Sequence, residues 1–183
     1  IRIPRVIMGL IVGIGLALCG TVMQTTVNNP ISEPYILGIS AGATFGATFF
    51  IILGLKSMTG IGAFFGSVIS TAIVMFIASI GKKITTTSLI LSGAVVNALF
   101  SAFSNFIISI GANSDSMMTI KFWTMGSLAS ATWADILLPL FVVLISLIFF
   151  MTQYRTMNTM LMGDEVAITL GINLQKYRLV YML

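Results

Sequence analysis

Long uncharged runs separated by short polar clusters form the dominant pattern of this chain. Five runs have this character: residues 6–32, 34–55, 57–81, 84–114 and 136–154. Each approaches or exceeds the ~20 residues with which a helix crosses a ~30 Å hydrocarbon core. None shows the period-two alternation of a membrane barrel strand. The pattern therefore predicts an all-α membrane protein with five transmembrane helices.

Composition agrees with lipid as the surroundings of most of the chain. Hydrophobic residues make up 57% of the sequence and charged residues 8%, with a mean hydropathy of +1.08, whereas soluble domains carry roughly 25% charged residues. The basic residues behind the net charge of +4 are scattered near the ends of the runs, as membrane-edge anchors are. We therefore expect a lipid bilayer, and no nucleic acid, as partner. The single cysteine, Cys19, is interpreted as a buried packing residue.

The stretch VNNPISEP at 27–34 predicts a short turn between the first two helices. Two asparagines, which favour the left-handed conformation that ends helices, precede Pro30, which cannot continue one. Ser32 and Glu33 then supply a capping side chain and an acid for the positive end of the next helix dipole. Pro34 suits a first helical turn, so we expect the second helix to begin there.

Glycines recur at the GxxxG spacing, which places both glycines of a pair on one helix face. The pairs are Gly9 with Gly13, Gly42 with Gly46, and Gly62 with Gly66. Such faces let a neighbouring backbone approach closely in a membrane. A glycine-rich run without a following Lys-Ser/Thr is a weak indication of phosphate binding. We therefore interpret GISAGA at 38–43 as a packing face rather than a ligand cradle.

The fourth run carries a polar stripe, formed by Asn97, Ser101, Ser104 and Asn105. Their spacing puts them near one face of a helix. Polar side chains in a membrane helix either bond to neighbouring helices or border a water-filled path, and the sequence leaves both readings open. After this run, residues 111–130 predict a loop with a short interfacial helix.

Residues 156–175 form the longest well-marked polar segment, and they predict a short amphipathic helix that a glycine ends. By periodicity alone it is an ordinary solvated loop. The sequence has no histidine, no carboxylate at membrane depth and no Gly-x-x-x-x-Gly-Lys-Ser/Thr motif. We therefore expect no catalytic, cofactor-binding or metal-binding residues. If the bundle performs uphill transport, its energy must come from a partner, through this segment.

Six stretches carry a family resemblance: RIPR at 2–5, GLALCGTVMQ at 15–24, NNPISEPYILGISAGA at 28–43, LILSGAVVNALFSA at 89–102, FWTMGSLASATWADI at 122–136 and GDEVAITLGIN at 163–173. With these, the sequence resembles the permease subunits of iron-siderophore, haem and cobalamin ABC importers, the FecCD family of type II importers. The family motif Asn-Pro-Leu-Ala-x-Pro is altered here, where Ile31 and Ser32 replace its Leu and Ala.

The resemblance implies a single permease domain over residues 1–183, which would correspond to the second through sixth of ten membrane helices and the start of the seventh. It implies a second permease subunit, identical or different, two ATPase subunits and an extracytoplasmic substrate-binding protein. The implied function is import of an iron-siderophore, or a related haem or cobalamin complex, across a bacterial or archaeal cell membrane, with ATP hydrolysis on a separate subunit. The alternative is a channel-type or structural helix bundle without an ATPase partner.

Site residues follow from the same resemblance. Arg2 and Arg5 would pair with glutamates of the binding protein outside, on the side where Lys56 and Lys121 also lie. The inner gate would be formed by residues beside the loop proline and by a polar pair before a later helix, namely Asn29, Ile31, Thr86 and Thr87. Lys82 and Lys83 would lie in the cytoplasmic loop before that pair.

Residues 156–175 would be the coupling segment, which lies in a groove of the ATPase subunit. Gly163 and Gly171 would provide its sharp turns. Ala167 and Leu170 would supply its apolar face, and Asp164 and Glu165 the charged contacts at the rim.

Overall fold

The computed structural model describes residues 2–80 and 84–182, and all regular structure in these ranges is helical. Nine α-helices follow one another: α1 Arg2–Val27, α2 Ile39–Ile52, α3 Thr59–Ser79, α4 Thr86–Gly111, α5 Ser114–Met125, α6 Trp133–Thr152, α7 Tyr154–Leu161, α8 Asp164–Thr169 and α9 Leu174–Met182, all within the described ranges. Two 3₁₀ turns, Pro34–Leu37 and Lys56–Met58, precede α2 and α3. The predicted loop positions of Lys82 and Lys83 lie outside the described residues.

The chain divides into two compact units. The first combines Ile1–Ser32 with Ser127–Leu174, and the second combines Glu33–Gly126 with Gln175–Leu183. In the first unit α1 packs along α6 around a core of Met8, Ile11 and Ile136, and α1 also contacts α7. In the second unit α2, α3 and α4 pack on one another, and α5 packs on α2.

Four helical segments of the described chain are long and apolar enough to cross a membrane: Arg2–Val27, Lys56–Ser79, Thr86–Gly111 and Trp133–Thr152. The fifth predicted span, residues 34–55, is not one continuous helix. Its chain breaks at Gly38, whose φ of 69° is left-handed, and α2 beyond it has only 14 residues. The prediction of one continuous helix was wrong because the length of an apolar run does not show the backbone conformation of each residue. The left-handed Gly38 ends the 3₁₀ turn and precedes the start of α2.

The turn after α1 forms as predicted. Asn28 has a φ of 50°, and the Asn29 N–H donates to the carbonyl oxygen of Gln24 at 3.1 Å, which closes the helix end with a left-handed cap. The predicted capping by Ser32 is wrong. Its hydroxyl is buried and has no hydrogen-bond partner among the described residues, and Glu33 precedes the 3₁₀ turn without a side-chain capping bond.

Two of the three glycine pairs pack as the sequence predicts. A Cβ built on Gly42 would lie 2.5 Å from the carbonyl oxygen of Gly66, so the backbones of α2 and α3 are in direct contact. The pair on α1 differs, because a Cβ on Gly13 would meet nothing within 4 Å among the described residues. Cys19, on the same helix, is exposed rather than buried, which corrects its interpretation as a packing residue.

Candidate functional site

A cavity of about 580 Å³ lies in the second unit between the 3₁₀ turn, α2, α4 and α5. Eight of its eleven described lining residues carry a hydroxyl or amide side chain. The lining consists of Tyr35, Ser40, Ala41, Thr44, Asn97, Ser101, Ser104, Asn105, Ile108, Ile120 and Thr124. Among the described residues, the lining contains hydroxyl and amide groups and no charged side chain. The cavity can therefore hydrate or hydrogen-bond a polar solute without attracting one sign of charge.

All four residues of the predicted polar stripe lie on this cavity. Ser104 is buried, and its hydroxyl donates to the carbonyl oxygen of Phe100 one turn earlier, at 2.8 Å. The side chains of Asn97, Ser101 and Asn105 are exposed, and none bonds to another helix among the described residues. Of the two readings left open by the sequence, this arrangement favours a stripe that borders a water-accessible space.

Sequence reasoning missed the side of the cavity that α2 contributes. Ser40 and Thr44 are one turn apart on α2 and line the same cavity as the α4 stripe, as does Tyr35 from the 3₁₀ turn. The missed signal was the spacing of four between the serine and the threonine, which puts both on one helix face. The glycines of the same stretch led instead to the interpretation of a packing face.

The start of α2 is fixed by contacts with both neighbouring helices. Ser70 of α3 is fully buried, and its hydroxyl donates to the carbonyl oxygen of Gly38 at 2.8 Å. On the other side, a Cβ on Gly38 would lie 3.1 Å from the amide nitrogen of Asn97. Only glycine combines this close approach with a left-handed φ. These contacts set which face of α2 borders the cavity.

An exposed ion pair ties α5 to the turn before α3. Nζ of Lys56 lies 2.5 Å from Oδ2 of Asp115, in the first turn of α5. The side chain of Asn113 caps the same helix by accepting from the Ser116 amide at 2.8 Å. An exposed pair contributes at most about 1 kcal/mol, so it orients α5 more than it stabilises the fold. Thr124 of this helix completes the cavity wall.

The two predicted docking arginines lie in the first turn of α1. Arg2 and Arg5 are both exposed, and among the described residues neither forms an ion pair. A separation of three residues puts them on the same side of the helix. Pro4, which lies between them in the sequence, is buried, so the two charged residues lie on either side of a residue that is fixed by packing.

The predicted gate residues lie at two places, one in each unit. Ile31 is 83% exposed at the tip of the turn after α1, and its amide donates to Oδ1 of Asn29 at 3.0 Å. Thr86 and Thr87 lie in the first turn of α4 rather than before it, because Thr85 is the capping residue. Thr85 and Ser88 form a reciprocal capping box, which fixes the start of that helix.

The predicted coupling segment contains the helix α8 between two glycines with positive φ. Gly163, with φ 106° and ψ 156°, has a backbone conformation that is essentially restricted to glycine. Gly171, with φ 82°, ends α8, and the Ile172 amide donates back to the carbonyl oxygen of Ala167 at 3.0 Å. The chain therefore turns sharply at each of these two glycines.

One contact residue of this segment is corrected. Ala167 is fully buried within the chain, so it cannot contribute to a face that meets another protein. Leu170 is 64% exposed, and Ile168 is equally exposed beside it. The exposed apolar surface of α8 and its C-cap therefore comprises Val166, Ile168 and Leu170, while Ala167 packs within the chain. The amphipathic pattern alone could not show whether an apolar face of α8 packs against the same chain or against a partner protein.

Comparison with known proteins decides the family. A profile of the FecCD transport family matches residues 1–183. The chain belongs to the FecCD transport family. Its fold agrees with that of a solved metal-chelate type ABC transporter in an inward-facing conformation. The TM-score is 0.88 at 27% sequence identity, over 100% of this chain and 59% of the other.

Curated relatives of this FecCD-family chain are permease proteins of several import systems. The cobalamin import system permease protein BtuC of Halobacterium salinarum is 35% identical over 96% of this chain and 48% of its own length. The hemin transport system permease protein HmuU of Yersinia pestis is 33% identical over 98% and 55%. The ferric enterobactin transport system permease protein FepG of Escherichia coli is 30% identical over 100% and 55%. The chain spans about half the length of these relatives.

Proposed function

We propose that this chain is part of the membrane-spanning permease subunit of an ATP-binding-cassette importer. The observation that carries the proposal is a cavity between helices on which uncharged polar side chains lie in a row, the α4 stripe of Asn97, Ser101, Ser104 and Asn105. Polar side chains are costly in lipid and are retained in membrane helices where they meet one another or a solute path. The residues that line the cavity then form one wall of the transport path, and a second permease subunit supplies the opposite wall.

The substrate class is a metal chelate: an iron-siderophore, or a related haem or cobalamin complex. Support comes from the relatives, which are named for ferric enterobactin, hemin and cobalamin. The described part of the cavity lining has no charged side chain, which suits solutes that differ in charge. Such a lining does not bind one of them tightly, and selectivity is then left to an extracytoplasmic binding protein.

The energy comes from two ATPase subunits that bind the coupling segment, residues 156–175, on the cytoplasmic side. Exposed Leu170 with Ile168 offers an apolar contact, and exposed Glu165 a charge at its rim. Sharp turns at the two positive-φ glycines bound α8, and the bond from the Ile172 amide to the Ala167 carbonyl oxygen restrains its end, as a lever requires. In this proposal the chain is multi-pass in the inner membrane and hydrolyses no ATP itself.

Copurification and transport together test the proposal. The full-length permease, coexpressed with the ATPase encoded beside it, is expected to retain that ATPase through purification. In liposomes it should import a ferric siderophore, haem or cobalamin only when ATP and the binding protein are present. A bundle that purifies without ATPase and conducts passively would support the channel-type alternative and contradict the importer.

A further inference from the structure

A buried cation in the second unit has no part in the function described so far. Arg178, on α9, is 2% exposed. Its Nη1 donates to the carbonyl oxygen of Ile84 at 2.7 Å, and its Nη2 donates to Oγ1 of Thr86 at 3.3 Å. Both acceptors lie where the chain enters α4. One side chain of α9 therefore holds the start of α4 at two points.

Packing alone does not account for a charge at this position. Burying a guanidinium is costly even when it is hydrogen-bonded, and an apolar side chain of similar volume often stabilises a core as well or better. The start of α4 also carries the positive end of the helix dipole, which disfavours a nearby cation. The two bonds to the start of α4 add a directional restraint, because the planar guanidinium binds two acceptors in a defined geometry.

Other residues of α9 fix the position of the Arg178 side chain by packing. Tyr181 is buried one turn after Arg178, and Met182 packs against a core cluster from α3 and the α4 entry. That cluster consists of Met75, Ala78, Ile84 and Leu89. The spacing of three and four puts positions 178, 181 and 182 on one helix face. A rotation or shift of α9 would therefore move the start of α4.

The chain runs from α8 into α9 through only four residues, 170–173. Two backbone bonds restrain this connection: the Ile172 amide donates to the Ala167 carbonyl oxygen at 3.0 Å, and the Leu174 amide donates to the Ile172 carbonyl oxygen at 3.1 Å. The connection between the two helices is therefore short and internally hydrogen-bonded. Arg178 lies one turn into that helix.

We propose that Arg178 is the positioning residue through which the coupling segment sets the conformation of the start of α4, where Thr86 and Thr87 form part of the proposed gate. This inference rests on the proposed function of residues 156–175. A ligand or a partner can shift a two-state element only through contacts that differ between the states. The bonds from Arg178 to Ile84 and Thr86 are such contacts, and they connect ATP-driven movement of α8 with the gate.

The decisive variant is Arg178→Lys in the full-length permease, reconstituted with its ATPases and binding protein. Lysine keeps the positive charge, but its ammonium is a point donor that does not reproduce the two-acceptor fork. We expect retained ATPase copurification and hydrolysis, with substrate transported per ATP reduced about tenfold, the scale of losing a hydrogen bond to a charged group. Thr86→Val, which removes one acceptor at constant shape, should reduce the ratio less. Lys176→Gln, an exposed cation on the same helix, should keep the wild-type ratio.

A wild-type ratio in an assembled Arg178→Lys complex overturns the inference, as does a parallel loss of hydrolysis and transport that follows lost thermal stability. If the Arg178→Lys complex fails to assemble, the Thr86→Val complex provides the test. An unchanged ratio of substrate transported per ATP in that complex also overturns the inference. A wild-type permease that binds no ATPase would instead refute the proposed function. The two failures are therefore distinguishable within one set of complexes.

Discussion

The backbones of Gly46 and Gly62 touch: a Cβ built on Gly46 would lie 2.0 Å from the carbonyl oxygen of Gly62. No side chain fits between α2 and α3 at this point. Close approach of this kind takes the place of the hydrophobic effect, which does not drive helices together in lipid. It also brings Ser70 within reach of the Gly38 carbonyl, so the helix contact positions the polar cavity.

Gly46→Ala is expected to destabilise the helix pair by about 1–3 kcal/mol, because the added methyl forces α2 and α3 apart. The measurement is thermal unfolding of the full-length permease in detergent. Gly60→Ala is the matched control, since a Cβ there meets nothing within 4 Å among the described residues and its φ is not left-handed. Equal stability of the two variants would contradict the close contact.

Asn105→Leu is expected to reduce substrate import about tenfold, because a hydrocarbon side chain leaves polar groups of the passing solute without a hydrogen-bond partner. ATPase copurification should stay at the wild-type level. Ala98→Leu, on an exposed part of α4 that does not line the cavity, serves as control and should import normally. Normal import by Asn105→Leu would show that the polar stripe on α4 does not line the transport path.

Replacing both Arg2 and Arg5 with glutamate is expected to weaken docking of the binding protein about tenfold and to reduce its salt dependence, since complementary charges steer encounter and fix register. Affinity is measured in nanodiscs at several salt concentrations. Lys121→Glu changes an exposed charge that the same orientation places outside, and it should have a smaller effect. Unchanged affinity of the double variant would show that the arginines only anchor the helix end.

A cysteine at position 31 tests the gate, because Ile31 projects from a turn with a defined backbone. In a Cys19→Ser background, Ile31→Cys should crosslink the two permease subunits in the closed state and block transport. Leu55→Cys, exposed in the turn after α2, is the control and should not crosslink. Full transport after complete crosslinking at position 31 would refute the gate.

Leu170→Asp is expected to abolish ATPase association or substrate-stimulated hydrolysis, because a charge buried in an apolar groove costs several kcal/mol if it stays ionised. Binding-protein docking should survive. Glu165→Arg tests the rim contact in the same assays. The control, Leu55→Asp, makes the same exchange at an exposed leucine on the predicted outer side. Wild-type values for Leu170→Asp and Glu165→Arg would mean that another segment couples the ATPase.

Much of the helix pattern follows from the sequence, because lipid imposes one rule on every span: the backbone must satisfy its own hydrogen bonds. Run length and turn chemistry are local, so the ends of α1 and α8 and the turn after Asn28 were predictable. The stripe on α4 was predictable as a helix face for the same reason. The family motifs added the proposed roles of residues that periodicity could not assign.

Tertiary structure decided which faces meet. The break at Gly38 depends on Ser70 and Asn97, which come from other helices, and no local signal contains them. Ala167 and Leu170 fit the same amphipathic pattern, yet one is buried in the chain and the other exposed, because a pattern gives the direction of a side chain and not its neighbour. Arg178 looked like a charge at a helix end, and only the fold brought its guanidinium to Ile84 and Thr86, more than ninety residues earlier.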